Sequence, residues 1–318
     1  MTRLTVVGSL NSDLTLLLDH LPGPGETVAA TSPGLVSCGG KGGNQAAAAA
    51  AFGATVTMVG KVGDDQRGRQ LLADLADRGI DASGVIVAPG TRTGGATIGV
   101  DRAGENLILV DPGANSLLSP DEVEAAGLDN ANAVLVQLEI PLPTVAAAMR
   151  AAGDAILLLN PAPTPATAVP AAVLGLARVL VPNLTELARL ANAGQAASLP
   201  FAGDLAEIAR LARRLAGNAD AVVTLGSNGA LVVSRSAETS AHIAAPPVAT
   251  VDTTGAGDCF CGTLAASLAE GLDLTDAARL SVAAAALSTT AYGARGELPG
   301  QPAAERLADR LAVRVVRG

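Results

Sequence analysis

The stretch Asp252-Thr253-Thr254-Gly255-Ala256-Gly257-Asp258, running directly into the apolar segment 259–268, carries more information than any other in this 318-residue sequence. It sets a Gly-x-Gly turn at the mouth of a helix, where backbone N–H groups lack intrahelical partners and the helix dipole adds partial positive charge. Such a turn holds phosphate, or the charge on a phosphoryl group in transit. Asp258 lies in the same turn, where a carboxylate can take the proton of an attacking hydroxyl. Anion cradle plus base is the chemistry of phosphoryl transfer. The competing reading is an ordinary loop with Asp258 as helix N-cap, and the heptapeptide alone leaves both open.

Outward from this turn, apolar strands alternate with helical stretches, the pattern of a parallel sheet covered by helices on both faces. Strands are expected at 4–7, 56–59, 133–138, 155–159, 179–181 and 221–225. Helices are expected at 44–52, 68–76, 144–152, 184–192, 204–215, 256–269 and 275–291. Two stretches break the alternation. Residues 14–36 are loop-rich around Pro22, Pro24 and Pro33, and 95–110 reads as a hairpin about Asp101-Arg102-Ala103-Gly104. Both are extended and helix-free, so they pair into a small separate sheet, a lid drawn from about 14–38 and 95–111 of a single domain spanning 1–318.

Composition narrows the function. Hydrophobic residues make up 49% of the chain but aromatics only 1%, so Ala, Val and Leu must fill the core. A formal net charge of −9 with no basic cluster argues against nucleic acid, whose phosphates require a positive face. No apolar run is long enough for a membrane span, and the N-terminus reads as a strand, not a signal peptide. Cys38, Cys259 and Cys261 lack metal-binding spacing and fit a reducing cytoplasm, with Cys259 and Cys261 packing as small apolar residues. His20 and His242 have no partner motif.

Several polar clusters fall where strands end, the place ligands occupy in open α/β sheets. Asn11-Ser12-Asp13 follows the first strand, and alternation puts Asn11 and Asp13 on one side, able to bond several hydroxyls; the pair also suits an ordinary turn. Gly39-Gly40-Lys41-Gly42-Gly43-Asn44 precedes an alanine-rich helix. It lacks the Lys-Ser/Thr ending of a nucleotide P-loop, and its glycines permit close backbone approach to a ligand, a hinge or a flexible connector. Asn44 could cap the helix or bond a hydroxyl. Glu139 closes the cluster Gln137-Leu138-Glu139, as a ligand contact or a surface glutamate. Asn183-Leu184-Thr185-Glu186 offers Glu186 either to water around magnesium or to a capping box. Thr224-Leu225-Gly226-Ser227-Asn228-Gly229 is a hairpin turn or one wall of a nucleotide pocket.

In combination, 39–44 and 252–258 resemble the two signatures of the ribokinase (PfkB-type) carbohydrate kinases, and the other clusters match further motifs of that family in order. The resemblance spans about 4–299. It implies a ribokinase-like α/β fold with a small β-sheet lid that serves as a homodimer clasp. It implies ATP-dependent phosphorylation of the 5-hydroxymethyl of D-ribose, with deoxyribose, another sugar or a nucleoside as alternative acceptors and a non-catalytic sugar-binding regulator as the alternative class.

Carried over by position, Asn11, Ser12, Asp13, Gly40, Lys41, Gly42, Gly43, Asn44 and Glu139 would hold the sugar, with Asp258 as base. Gly255, Ala256 and Gly257 would form the anion hole. ATP would meet Asn183, Thr224, Leu225, Gly226, Ser227, Asn228, Gly229, Gly257, Asp258 and Val282, and Glu186 would join a Mg2+ network. A monovalent cation, K+, would sit among Asp252, the Thr254 carbonyl, Ser288, Ala291, Gly293 and Glu297. Three positions depart from the family pattern: Cys261 where Asn is common, Glu297 where Ser usually completes the cation site, and Val282 in place of a polar residue in the adenine region.

Overall fold

The computed structural model describes residues 2–192 and 204–317. A ten-stranded sheet runs in the order Val313–Arg317, Thr239–Ile243, Ala230–Val233, Asp220–Thr224, Val179–Leu180, Ile156–Leu159, Ala133–Val136, Arg3–Val7, Thr55–Gly63 and Asp81–Ala88. From Asp220–Thr224 to Asp81–Ala88 every pairing is parallel; the three strands beyond it are antiparallel.

The apolar runs have no polar alternation because both faces of these strands are covered. Successive side chains divide between two cores. Val6 and Leu135 join one, with the helices Lys41–Phe52, Ala256–Ala269 and Leu274–Ser288. Val7, Val134 and Val136 join the other, with Leu142–Ala151 and Leu205–Ala216. Small side chains replace aromatics by letting helices approach closely: a Cβ on Gly262 would lie 2.3 Å from the Gln45 carbonyl oxygen, so the Ala256 and Lys41 helices touch there through backbone.

A separate four-stranded sheet is formed by Leu35–Gly39, Asn11–Leu17, Gly95–Val100 and Asn106–Asp111 in that order. The expected hairpin is its antiparallel last pair. One consequence is that Asn11 and Asp13 belong to the small sheet while Ser9 remains at the end of the large one, so the first polar cluster bridges the two.

Three expectations need correction. The helix placed at 44–52 begins at Lys41, with Gly40 as N-cap at φ 82°, so Asn44 is not a cap. The N-cap reading of Asp258 fails too: Gly255 occupies that position at φ 76°, and Asp258 stands inside the first turn. The strand expected at 133–138 ends at Val136, which frees Gln137 and Glu139 for the cleft side. Asp81–Ala88, Thr239–Ile243, Val313–Arg317 and the helix Gln301–Ala308 were not foreseen.

Candidate active site

Parallel strands that are level in register deliver their following residues to one edge. Val7 pairs with both Val59 and Val136, and Val136 with Leu159. Beyond these ends lie Ser9, Gln137, Glu139 and Asn160, and after the next two strands Asn183 and Thr224. A cleft at this edge is lined by Lys41, Asn160, Asn183, Glu186, Thr224, Gly255, Gly257, Asp258 and Cys261, among others.

Glycine builds the cleft floor. A Cβ on Gly42 would fall 2.7 Å from the backbone of Gly8 and Ser9, so only glycine allows the Lys41 helix to start against the first strand. Lys-Gly-Gly is poor helix-forming sequence. Its helical turn is held by tertiary contacts: the Gly43 N–H donates to the Ser9 carbonyl at 2.9 Å.

Asp258 is 8% exposed and accepts one hydrogen bond on each carboxylate oxygen: from the Asn44 amide at 2.9 Å and from the Gln45 amide at 3.0 Å. Lys41 lies on the same wall; the Asp258 carboxylate above all, with Glu139, pushes its pKa up against the opposing effect of burial. In the turn itself, the Ala256 N–H donates to the Thr253 carbonyl at 3.2 Å. Those of Gly255 and Gly257 have no partner among the described residues, and a Cβ at Gly257 would meet open space. Both glycines line the cleft beside the buried Asp258 carboxylate.

The Glu139 carboxylate accepts from the Ser9 hydroxyl (2.5 Å) and the Lys41 N–H (3.0 Å). Asn11 and Ser12 are buried, and the Asn11 side-chain oxygen accepts from Asn115 at 2.8 Å. Asp13 accepts from the Ala96 N–H at 3.0 Å. Burial first, helped by the nearby charges of Glu139 and Asp258, pushes its pKa up to about 6, against the Ala96 hydrogen bond and Arg295. Gly39 leaves room for Asp13: a Cβ there would lie 1.9 Å from the carboxylate, which would have to move.

Arg295 fixes this end of the site. Its guanidinium donates to the Asn44 side-chain oxygen (2.8 Å), the Gly39 carbonyl (2.8 Å) and Asp74 (2.5 Å). Nothing in the sequence marked Arg295, Gln45, Asn115 or Asn160. The available signals were faint: a glutamine in an alanine run for Gln45, and an asparagine just past a buried strand for Asn160.

On the opposite wall, Asn183 and Glu186 form a reciprocal capping box, each side chain taking the other's N–H at 2.8 Å, and both also line the cleft. The capping-box reading of this pair is observed, and it leaves one carboxylate oxygen and the Asn183 NH2 unused. Burial first pushes the Glu186 pKa up, opposed by the Asn183 N–H and Lys41. Thr224 lines the cleft, and its chain continues through Leu225 into a short 3-10 turn, Gly226–Asn228, with Ser227 exposed and Gly229 at φ 90°.

Asp252 is tied to the late loop: its carboxylate accepts from the Thr254 hydroxyl (2.7 Å), the Thr254 N–H (2.9 Å) and the Gly293 N–H (2.8 Å). Burial raises its pKa, but these donors outweigh it and leave the group below its ordinary value. Ser288 is buried close by in sequence, with its hydroxyl donating to the Ala285 carbonyl; Ala291 is half-buried and Glu297 exposed. Val282 sits in the core at 4% exposure, away from the cleft lining. Burial pushes the Cys259 and Cys261 thiols up, to about 12 for Cys259, so both are inert.

Comparison with known proteins identifies the family. Residues 1–300 match the model of the pfkB family carbohydrate kinases. The chain is 37% identical to a ribokinase of Bacillus subtilis, covering 96% of this chain and 99% of that protein. It is 35% identical to a deoxyribokinase of Salmonella typhi, covering 93% and 95% respectively. It spans 55% of a bifunctional ribokinase/ribose-5-phosphate isomerase A of Fructilactobacillus sanfranciscensis, at 34% identity. The structure of Arabidopsis thaliana ribokinase complexed with ribose and ATP superposes with a TM-score of 0.83 at 30% identity, covering 97% of this chain and 99% of that one. The chain belongs to the pfkB family of carbohydrate kinases, ATP-dependent sugar kinases with the ribokinase-like fold.

Proposed function

We propose that this kinase transfers the γ-phosphoryl group of ATP to the 5-hydroxyl of D-ribose, giving ribose 5-phosphate and ADP. The observation that carries this reading is Asp258, buried on the cleft wall one turn into a helix whose Gly255 and Gly257 N–H groups are unpaired. In the step, the ribose O5–H bond breaks with its proton passing to Asp258. The O5–P bond forms as the bond from Pγ to the bridging oxygen breaks, and ADP leaves. Phosphoryl transfer rests chiefly on positioning and charge stabilisation, which the unpaired amides and the raised-pKa Lys41 supply.

Asn11, Ser12, Asp13, Gly40, Lys41, Gly42, Gly43, Asn44 and Glu139 hold the sugar in this reading. Asn183, Thr224 and the turn to Gly229 hold the nucleotide. The leftover Glu186 oxygen fits a hydrated Mg2+, which would neutralise phosphate charge. The oriented Asp252 carboxylate, with the chain near Thr254, Ser288, Ala291 and Gly293, suits a K+ beside the anion hole; exposed Glu297 is the weakest of its assigned ligands. The small sheet closes over the sugar as a lid and pairs with a second copy, since Leu35, Val36, Ile108, Leu109 and Val110 are all more than half exposed. Among the described residues no helix is long and apolar enough to cross a membrane, and we place the enzyme in the cytoplasm.

Deoxyribose is the second reading, favoured by the similarity to a deoxyribokinase. ATP consumption across a panel of pentoses, hexoses and nucleosides, with and without potassium, tests the assignment. Ribose should give the highest kcat/KM; a higher value with deoxyribose moves the assignment to that sugar, and no sugar-dependent consumption removes catalysis altogether.

A further inference from the structure

Asp258 does not stand alone in its wall. It is gripped by the side chains of two consecutive residues of the facing helix, Asn44 and Gln45, and the second of these has no assigned part in the chemistry. Gln45 is fully buried in an otherwise alanine-rich helix. A primary amide there is costly unless every polar atom is paired.

All of its polar atoms are paired. The Gln45 Nε2 donates to Asp258 Oδ1 at 3.0 Å and to Asn160 Oδ1 at 3.1 Å. Its Oε1 accepts from Gln137 Nε2 at 2.6 Å. Asn160 is oriented in turn by donating to the Val181 carbonyl at 2.8 Å. These partners leave one orientation. An ionised carboxylate only accepts, so the Gln45 NH2 must face Asp258 and its oxygen must face Gln137. Asn44 is set by the same logic, because Arg295 only donates and occupies its oxygen. The helix contact that brings Gln45 within reach is the backbone-close approach at Gly262, one turn along from Asp258 on the same helix.

We infer that Gln45 is a positioning residue for the phosphoryl-transfer step: it fixes the Asp258 carboxylate in the rotamer that faces the acceptor hydroxyl, and Gln137 and Asn160 lock Gln45 itself. Gln45 is fully buried and is not among the residues that line the cleft. With Asn44 alone, the carboxylate keeps one anchor and can swing about it. A displacement near 1 Å at a reacting group costs on the order of 100-fold in rate. The inference rests on the kinase reading and on Asp258 as its base.

A double-mutant cycle tests it on the full chain, using whichever sugar the panel identifies as acceptor. Gln45→Met keeps the side-chain length and removes the donor. It should lower kcat about 10- to 100-fold with sugar and ATP KM changed by less than threefold. In the Asp258→Asn background the same substitution should lower the residual kcat by less than twofold, because the group it positions is gone. A merely structural glutamine would instead lower kcat by the same factor in both backgrounds. Gln45→Leu, which also removes the donor and introduces no charge or new hydrogen-bonding group beside Asp258, carries the same test should Gln45→Met fail to fold by circular dichroism. Equal factors in the two backgrounds, or unchanged kcat in folded protein, overturn the inference while leaving the kinase reading intact. Absence of turnover by the unmodified enzyme with every sugar overturns both.

Discussion

Replacing Asp13 by Asn should stabilise the fold in a pH-dependent way while removing sugar binding. The Asp13 carboxyl, buried near Glu139 and Asp258 and eased only partly by Arg295 and the Ala96 N–H, titrates at about 6 in the fold against an ordinary value of 3.8. A carboxyl whose folded pKa is raised destabilises the fold when ionised. The cost is absent below pH 3.8, grows between the two values and is fully present above about 6. The shift corresponds to about 3 kcal/mol; partial solvation of the group brings the expected figure to about 1–3 kcal/mol. Asn cannot ionise but retains an oxygen for the Ala96 N–H. Urea denaturation of both proteins from pH 4 to 8 measures the difference in unfolding free energy. That difference should rise in favour of Asp13→Asn by about 1–3 kcal/mol across the range. Calorimetric titration at pH 8 should show ribose affinity reduced at least 100-fold, since an ionised acceptor for sugar hydroxyls is lost. A stability difference that is flat with pH would refute the account of Asp13 as a carboxylate held at a strained charge for its ligand.

Arg295→Met takes one donor from the partly buried Asp74 carboxylate, which keeps Arg78 at 3.0 Å, and leaves the Asn44 and Gly39 oxygens without theirs; it should cost about 1–3 kcal/mol of unfolding free energy in the same urea assay. Gly255→Ala places a Cβ 2.6 Å from Ala294 at φ 76°; it should lower stability by more than about 1 kcal/mol and kcat by more than about tenfold, read by denaturation and steady-state kinetics. Leu109→Asp sets a charge on the exposed apolar face of the small sheet; if that face is the dimer contact proposed above, the unmodified protein sediments as a dimer and the variant as a monomer, with the same far-ultraviolet circular dichroism.

The parallel half of the large sheet was legible because its strands are buried on both faces, so each is an unbroken apolar run such as Ala133–Val136. The antiparallel edge was not. Thr239–Ile243 and Val313–Arg317 pair with each other at the margin, carry Ser, His and Arg, and look like loop by composition. Site residues at the ends of strands stood out by position, Glu139 and Asn183 among them. The start of the Lys41 helix did not, because glycine is a weak helix former and what holds the turn is the packing of Gly42 against Gly8 and Ser9. Asp258 is singled out by its own turn, yet its hydrogen-bond partners are residues more than two hundred positions away, Asn44 and Gln45, and no local pattern encodes such a pairing. Arg295 was hidden for the same reason: its three partners, Gly39, Asn44 and Asp74, all lie in the first quarter of the chain.

Everything in the account turns on the Asp258 carboxylate accepting the hydroxyl proton of a bound sugar. The most direct measurement is kcat for Asp258→Asn with ribose and ATP, taken together with its ribose Kd by calorimetry. Asn preserves the shape and an oxygen acceptor, so the account predicts kcat lower by at least about 1,000-fold with Kd changed by less than fivefold. Turnover within tenfold of the unmodified enzyme would contradict it.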